Sequence, residues 1–367
     1  MGNLKFGFRF RQRLAARACT CAVALAALIA GNPAHAHLYC VTSVAELQTA
    51  LAESSSGGIY NGEENDIYIS AGTYKTGTAT GNLPFTFTSS AASLLLISGA
   101  PANCASYSGV DASQVVLDGN NSSQVLNITS TQGPVFVGSL TIQNGEASKA
   151  GAGLAVNYDS SGNTLGTNNS VAVIGTIIRN NHTTAFCGGI ATDAGGVTQL
   201  FFNVVAGNSA DNGEEGGAAG CLLGNDDLLV ENNTVTLNTT TMTGGIGGVS
   251  IAAIGAHFPT LRNNILWDNT NFGAYFFSPN ANLDFNDYGV LGGVTPSFNT
   301  HALSTMPDFV NRPGGDFHLA GDSPLLGISP DLPNICCDVE HLGVPQTGRI
   351  DLGAYEETIF TANFDGF

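Results

Sequence analysis

The chain has 367 residues, of which 43% are hydrophobic and 11% are charged. The 29 Asp and Glu outnumber the 11 Lys and Arg, so the net charge is −18 at pH 7. Such a surface repels phosphate backbones and anionic lipid, so the composition argues against nucleic-acid binding. A high negative charge is also common in exported proteins, and by itself it identifies no ligand.

Residues 1–36 are predicted to be a signal peptide. A basic region precedes the apolar run 22–30, and Ala34-His35-Ala36 places small residues where a signal peptidase reads them. A membrane anchor is the alternative, but this run is well short of the roughly 20 residues that a spanning helix needs. The cations of the basic region are Lys5, Arg9, Arg11, Arg13 and Arg17. Their removal leaves six Lys and Arg against 29 acids, a net charge of −23, on an exported chain for which we predict no transmembrane segment.

Residues 37–109 are predicted to form an N-terminal cap and the first coils of a repeat. Within them, 44–51 is the clearest amphipathic stretch of the chain, and Ser43 with Glu46 forms a capping box. The residues that share its apolar face are Leu47, Ala50 and Leu51. We therefore expect a helix that lies across the first coil.

An asparagine frame repeats between residues 139 and 269. Three copies place two asparagines five residues apart around an apolar centre, at Asn203 and Asn208, Asn233 and Asn238, and Asn264 and Asn269. Looser copies are SLTIQN at 139–144 and TIIRNN at 176–181. From Asn144, the closing asparagine recurs at steps of 37, 27, 30 and 31 residues. A column of glycines runs beside it, at Gly153, Gly189, Gly220 and Gly248.

A period of about 30 residues indicates stacked structural units. Short runs of Val, Ile, Leu, Phe and Thr are separated by Gly, Asn, Asp and Ser, which is typical of strands and turns. We therefore predict an all-β fold, a parallel β-helix over 110–294 in which each strand pairs with the equivalent strand one coil away. An antiparallel sandwich is the alternative, but it gives no reason for residue types to repeat in register.

This fold gives the asparagines a structural role. At a corner of each coil an asparagine can adopt the left-handed conformation, and its amide can bond to the asparagine stacked about 4.8 Å away. Val205, Val235 and Leu266 would then point inward and fill the core. Glycines would form the other corner, where a side chain would clash.

After Asp287 the repeat dissolves. Residues 295–356 contain Pro and Gly and are predicted to form an irregular C-terminal cap, because the end of a solenoid exposes its core and strand edges. Residues 357–367, ETIFTANFDGF, are predicted to be a Phe-rich tail.

The predicted mature chain keeps six cysteines: Cys40, Cys104, Cys187, Cys221, Cys336 and Cys337. An even number in an exported chain suggests disulfides. We favour a Cys40–Cys104 bond that ties the N-terminal segment to the body, and Cys187–Cys221 is a second candidate because these residues lie about one repeat apart. The adjacent Cys336 and Cys337 would form a strained ring if they paired together. Zinc binding is the alternative role for these cysteines, but the paired C-x-x-C spacing that zinc sites use is absent.

Residues 348–356, GRIDLGAYE, carry a family resemblance. Together with DFHL at 316–319 and DSPL at 322–325, they resemble the Q-type choice-of-anchor module that ends bacterial exported right-handed parallel β-helix proteins. The close match covers Asp351, Leu352, Gly353, Ala354, Tyr355 and Glu356. Upstream, EHLGVPQTGR departs from the module and keeps only Gly343, Pro345 and Arg349.

The N-terminal half resembles related exported β-helix proteins through AELQTAL, DIYISAGTY, LLISGAPANC and VVLDGNN, in that order. The Gly-Gly-Ile and Asn-rich turns also resemble the repeats of polymorphic outer-membrane proteins. The resemblance implies a right-handed solenoid in the medium or on the outer surface of a Gram-negative cell. It also implies C-terminal anchoring machinery that acts on the tail, although the tail ends differently from the Gly-Phe-Glu of such members. It implies no particular activity.

Parallel β-helices include polysaccharide lyases and glycoside hydrolases, so we searched for their catalytic groups. Asp226-Asp227 in GNDDLL resembles the double Asp of polygalacturonases, but the accompanying Asn-Thr-Asp, Gly-His-Gly and Arg-Ile-Lys elements are absent. We interpret the pair as a solvated turn and Glu214-Glu215 as part of a loop. Arg179 with His182 is interpreted as a polar surface corner, and Asp193 likewise.

Metals and cofactors have little support in the sequence. GNDDLL is a partial copy of a calcium-binding nonapeptide, without the reiteration that such sites show. We predict no cofactor and keep calcium as an alternative. Six cations on a chain of charge −23 would bind anionic polyuronates poorly without a metal.

We therefore expect an exported or cell-surface β-helix protein with a structural, adhesive or glycan-binding role. A polysaccharide or cell-surface glycan would lie along a regular face of Asn and Thr with a few aromatics. The aromatics are Trp267, Tyr275, Phe276 and Phe277, for which packing in the core or a cap is the alternative. The alternative function is a carbohydrate-active enzyme, either a polysaccharide lyase or a glycoside hydrolase.

Overall fold

The computed structural model describes residues 36–77, 81, 83–158, 164–213, 216–224, 227–253, 258–330, 337–345 and 348–357. The predicted signal peptide except Ala36, and the predicted tail except Glu357, lie outside these residues. Within them the chain is almost entirely β-structure, with one α-helix, α1, at Val44–Ser54. Short 3₁₀ turns lie at Ala102–Cys104, Ala112–Gln114 and Arg312–Gly314.

Four parallel sheets, here named A to D, run along the molecule. Sheet A has ten strands: His37–Val41, Asn65–Ser70, Leu95–Ala100, Val135–Gly138, Val171–Ile174, Thr198–Phe201, Leu228–Glu231, Thr260–Arg262, Asn282–Asp284 and Phe298–Thr300. Sheet B has eight: Gly72–Lys75, Val115–Asp118, Thr141–Gln143, Ile177–Arg179, Val204–Ala206, Thr234–Thr236, Ile265–Trp267 and Asp287–Tyr288. Sheet C has eight: Phe85–Ser89, Leu126–Ser130, Leu154–Val156, Ile190–Ala194, Gly220–Gly224, Val249–Ala253, Ala274–Phe276 and Leu291–Gly293. Sheet D has four: Glu146–Ala147, His182–Thr183, Ser209–Ala210 and Thr239–Thr240.

Each central coil passes through sheets A, B, D and C in that order before it returns to A. This arrangement is a right-handed parallel β-helix, so the predicted all-β solenoid is confirmed. Strands pair in register one coil apart, and Val205 lies between Ile178 and Val235. Val205, Val235 and Leu266 are buried in the continuous core, as predicted. Stacking aliphatic side chains removes their apolar surface from water along the whole solenoid.

Helix α1 covers the first coils. Leu47, Ala50 and Leu51 are buried, and the helix contacts strands His37–Val41 and Phe85–Ser89. The Ser43 side chain accepts a hydrogen bond from the Glu46 backbone N–H at 3.3 Å. The return bond of the predicted capping box is shifted by one residue, because Glu46 Oε2 accepts from the Thr42 backbone N–H at 2.7 Å.

The predicted asparagine contacts are present as two ladders. At the corner between sheets B and D, side-chain amides join Asn181, Asn208, Asn238 and Asn269 at 2.8–3.0 Å. At the corner between sheets A and B, they join Asn203, Asn233, Asn264 and Asn286 at 2.8–2.9 Å. Each amide therefore meets its equivalent from the next coil.

Two details of the ladder prediction are wrong. Gly145, not Asn144, lies in line with Asn181, because Gln143 pairs with Arg179 and the Gly145 N–H donates to Asn181 Oδ1. The left-handed backbone conformation also belongs to the residue before each ladder asparagine, as at Asn232 with φ 54°. That residue makes the bend, and the asparagine after it is free to turn its amide into the corner.

The glycine column lies at the corner that enters sheet C. A Cβ on Gly153 would lie 2.6 Å from the carbonyl oxygen of Gly189, so the close approach of successive coils requires glycine there. The prediction that Gly220 belongs to this glycine column is wrong by one residue. It pairs with Ile190 and Val249, and Ala219 occupies the position equivalent to Gly189.

Both predicted cysteine pairs lie at disulfide distance. Cys40 and Cys104 have Cα atoms 5.9 Å apart and connect the first strand of sheet A to a turn 64 residues later. Cys187 and Cys221 have Cα atoms 5.4 Å apart and connect neighbouring coils. Cys336 lies outside the described residues.

The C-terminal region is irregular, as predicted, but it packs along the side of the solenoid. It contains an antiparallel hairpin, Phe309–Asn311 with Asp316–Leu319, and a second antiparallel strand pair, Ser329–Pro330 with Arg349–Ile350. The backbone N–H of Ala112 donates to the Val339 carbonyl, and that of Gly353 donates to the Asn263 carbonyl. The region therefore spans several coils across the outer face of sheet B. The domain boundaries at 109, 294 and 356 stay predictions.

A candidate ligand-binding cleft

A cavity of about 460 Å³ opens between the outer face of sheet B and the hairpin formed by Phe309–Asn311 and Asp316–Leu319. We call this cavity the flank cleft. Strands of sheet B are short, so only their central residues point into the core and the flanking residues face outward. The apolar side chains that line the cleft are those of Ile177, Val204, Ala206, Leu237, Pro313, Phe317 and Tyr355.

Two arginines line the flank cleft from opposite elements. Arg179 ends a strand of sheet B, is exposed, and donates from Nε to Gln143 Oε1 at 3.0 Å. Arg312 begins the turn of the hairpin, and its Nη1 is ion-paired with Asp268 Oδ2. The sequence linked Arg179 only with His182, because nothing in the spacing connects Arg179 to a residue in the C-terminal region.

His318 also lines the flank cleft. Its Nδ1 is 2.6 Å from Asp316 Oδ1, its Nε2 is 3.2 Å from Glu340 Oε2, and its ring centroid is 4.1 Å from that of Tyr355. Burial opposes protonation, but the hydrogen bonds to the two carboxylates outweigh it and raise the pKa of His318. The imidazole therefore holds a proton more readily than a free histidine does, and it bridges two carboxylates beside the cleft.

The motif Asp351–Glu356 fastens the C-terminal region to the solenoid. The Asp351 carbonyl accepts from Asn232 Nδ2 at 3.2 Å, and the Ala354 N–H donates to Thr234 Oγ1 at 3.0 Å. Gly353 has φ 92°, a conformation that favours glycine, and Tyr355 is buried. The motif residues therefore form a tertiary contact, and Tyr355 also contributes to the flank cleft.

Several carboxyl groups are buried behind this motif. Glu356 Oε2 accepts from the Asp351 N–H at 3.2 Å, and the Glu356 N–H donates to Asp338 Oδ2 at 3.0 Å. Burial, together with the nearby carboxylate of Asp351, raises the pKa of Glu356 to about 8. Burial also raises the pKa of Asp338 to about 6. Burial therefore disfavours the ionised forms of Glu356 and Asp338 relative to exposed carboxylates.

Asp227, the described member of the double aspartate, is not among the residues that line the flank cleft. Asp226 and Glu214-Glu215 are outside the described residues. Asp227 precedes strand Leu228–Glu231 of sheet A, and its carbonyl accepts from the Thr198 N–H. The interpretation of Asp193 as a surface corner is wrong, because Asp193 is buried in sheet C and its carboxylate accepts from the Gly166 N–H at 2.9 Å.

A histidine held between two carboxylates beside sheet D was not predicted from the sequence. His182 Nδ1 is 2.8 Å from Glu146 Oε1, and His182 Nε2 is 3.5 Å from Asp211 Oδ1. Burial opposes protonation, but these hydrogen bonds raise the pKa of His182. His182 pairs with Glu146 in register, and a repeat alignment of Glu146 with His182 would have revealed the contact. The partner of His182 is thus a carboxylate and not Arg179.

The predicted aromatic face is divided. Phe276 is in the core, and Trp267 packs against the C-terminal region. Tyr275 lies on the outer face of sheet C, with ring centroids 5.5 Å from Phe272 and 5.1 Å from Phe277. The four aromatics therefore do not form one binding face.

Among the described residues, no group of three or more His, Cys, Asp or Glu is placed to hold a metal ion. The calcium alternative concerned GNDDLL, of which Asn225 and Asp226 lie outside those residues. No helix in the same part of the chain is long and apolar enough to cross a membrane.

The fold and the flank cleft define this chain as a parallel β-helix protein with a ligand-sized lateral cavity. No known protein family, no curated protein and no solved structure matches the chain. The resemblance to the choice-of-anchor module rests on the sequence motif alone.

Proposed function

We propose that this chain is an exported or cell-surface β-helix protein that binds a polysaccharide or cell-surface glycan without cleaving it. The observation that carries this proposal is the flank cleft. Its volume of about 460 Å³ lies within the roughly 300–1,000 Å³ typical of ligand sites. Apolar side chains for the C–H faces of sugar rings occur there beside Arg179, Asn180 and His318, which supply hydrogen-bonding groups for hydroxyls.

Export is supported by the predicted signal peptide and by the two cysteine pairs at disulfide distance. Attachment to a Gram-negative surface, through anchoring machinery that acts on the tail 357–367, is the finer part of the proposal. It is supported by the choice-of-anchor-like motif Asp351–Glu356. Cell fractionation with and without the tail tests it, and release of the truncated chain into the medium is the expected result.

Binding is tested by calorimetry of the purified chain against a panel of polysaccharides, with and without calcium, while the products are analysed for cleavage. Ala206 is buried on the cleft floor, so Ala206→Phe should fill the cleft and abolish binding. Thr129→Phe, on the outer face of sheet C, is the matched control. Saturable binding that survives Ala206→Phe would place the ligand elsewhere.

The alternative function is a carbohydrate-active enzyme. The observation in its favour is His182 between Glu146 and Asp211, because a histidine held by carboxylates can transfer protons near neutral pH. Turnover in the same assay that is lost in His182→Gln would favour a lyase or a hydrolase over a binding protein. Turnover lost on Asp227→Ala would point to the double aspartate.

A further inference from the structure

We infer that the glycan bound in the flank cleft carries a carboxylate, as a uronic acid unit does, and that Arg179 and Arg312 hold that group. This inference rests on the proposed function. The predicted mature chain has only six Lys and Arg against 29 acids, yet two of the six line this one cavity. Because the chain has so few cations, the presence of two of them in one cavity indicates a ligand with an anionic group.

Arg179 has hydrogen-bonding capacity for a ligand. A guanidinium carries five N–H donors, and the bond from Nε to Gln143 Oε1 at 3.0 Å uses one of them. Gln143 is the in-register neighbour of Arg179 one coil away, so the bond orients the guanidinium along sheet B. A planar guanidinium fixed in this way matches the two oxygens of a carboxylate.

Arg312 approaches from the hairpin. Its ion pair with Asp268 joins the hairpin turn to the corner of a coil and so fixes the guanidinium at the rim. Asp316 is the acidic residue lining the cleft, and its carboxylate is 2.6 Å from His318 Nδ1. Arg312 is already paired with Asp268 and Asp316 with His318, whereas the partner of Arg179 is the neutral Gln143. Arg179 therefore supplies the uncompensated positive charge that a ligand meets, and Arg312 adds donors from the opposite side.

The apolar floor of the cleft favours an acidic sugar over an acidic peptide. Ile177, Ala206 and Leu237 form an apolar floor that suits the C–H face of a pyranose ring. The net charge of −23 repels a long polyanion, so a short acidic segment within a glycan fits better than a polyuronate chain. Calorimetry with short oligomers is therefore the right measurement.

The probes are tetragalacturonate, its fully methyl-esterified form and a short polyglutamate, each titrated into the full mature chain at 0.15 M salt. The variants are Arg179→Gln, Arg312→Gln and Arg312→Lys, and thermal unfolding checks that each is folded. Lys75→Gln is the control, because Lys75 is exposed on the first strand of sheet B, three strands from Arg179, and its loss changes the net charge equally.

The expected result is that tetragalacturonate binds and that each Arg→Gln variant weakens binding about tenfold or more, since charged hydrogen bonds are lost. Arg312→Lys should recover part of the affinity, Lys75→Gln should change it less than twofold, and the methyl ester should bind poorly.

Equal binding of the acid and the ester, unaffected by Arg179→Gln and Arg312→Gln, would overturn the inference and leave glycan binding intact. Arginine-dependent binding of polyglutamate alone would keep the carboxylate and overturn the proposed glycan function. No binding of any probe would overturn the carboxylate inference, and the neutral members of the polysaccharide panel would then decide the proposed function.

Discussion

Asn238 donates from Nδ2 to Oδ1 of Asn269 at 2.8 Å, while its own Oδ1 accepts from Nδ2 of Asn208 at 3.0 Å. Oδ1 of Asn238 also accepts from the Asn208 backbone N–H at 2.9 Å, and Nδ2 donates to the Val205 carbonyl at 2.8 Å. The buried amide therefore joins three coils, and its polar atoms have partners in all of them.

Replacing Asn238 by Ala should destabilise the solenoid by about 3 kcal/mol, because it leaves the Asn208 N–H and the Val205 carbonyl buried without their partner. Chemical denaturation monitored by circular dichroism measures the change. Asn168→Ala is the control, since that side chain is exposed and its loss should cost less than about 0.5 kcal/mol. Equal stability of the two variants would show that the ladder contributes nothing.

Gly189→Ala should destabilise the protein by about 2 kcal/mol, because the new Cβ would collide with the Ala219 carbonyl of the next coil. Gly321→Ala is the matched change, at an exposed position where a Cβ meets nothing within 4 Å. Its stability should stay the same or rise by about 0.5 kcal/mol. Thermal unfolding of both variants measures how much stability the added Cβ costs between two coils and at an open position.

Stability should fall as the pH rises from about 5 to 8. Burial raises the pKa of Glu356 to about 8 and that of Asp338 to about 6. An acid whose pKa is higher in the folded state binds its proton more tightly there, so folding loses free energy as the pH rises through that pKa. We expect a fall in melting temperature of roughly 5 °C or more over this range.

Glu356→Gln should flatten this pH dependence, because glutamine keeps an oxygen that accepts from the Asp351 N–H and has no proton to lose. Glu53→Gln, a change on helix α1, should leave the pH dependence unaltered. A Glu356→Gln profile identical to that of the parent chain would show that the carboxyl cluster does not set the slope.

Removal of the Cys40–Cys104 pair by Cys→Ser changes should destabilise the N-terminal coils by about 4 kcal/mol, as chain entropy predicts for a closed loop of this length. Solenoids unfold by neighbouring units, so the loss should be local. Hydrogen exchange should rise in α1 and in Asn65–Ser70, with little change near Asn269. Uniformly faster exchange along the whole chain would contradict this local effect.

The solenoid and its ladders could be predicted from sequence because each asparagine meets its own equivalent about 30 residues later. That spacing is visible in the chain. Asn286 was missed because it follows Asn264 by only 22 residues and no second asparagine closes its frame. The left-handed position was misassigned because the spacing of the asparagines does not say which of two adjacent corner residues makes the bend.

The flank cleft could not be predicted in the same way. It depends on contacts such as that between Asn232 and Asp351, which lie 119 residues apart and belong to no repeat. The motif Asp351–Glu356 was visible as a resemblance, but its packing on sheet B was not. Arg179 was therefore read as a surface residue, and Arg312 was not connected with it.

The placement of the C-terminal region along several coils has a mechanical consequence. Its contacts extend from Ala112 to Asn263, so a force applied at the C-terminus would be shared among many coils in shear. Without those contacts, the same pull would peel away the last coil first. A chain pulled at its tail by flow or by a neighbouring cell would thus resist extension with the coils between Ala112 and Asn263 together.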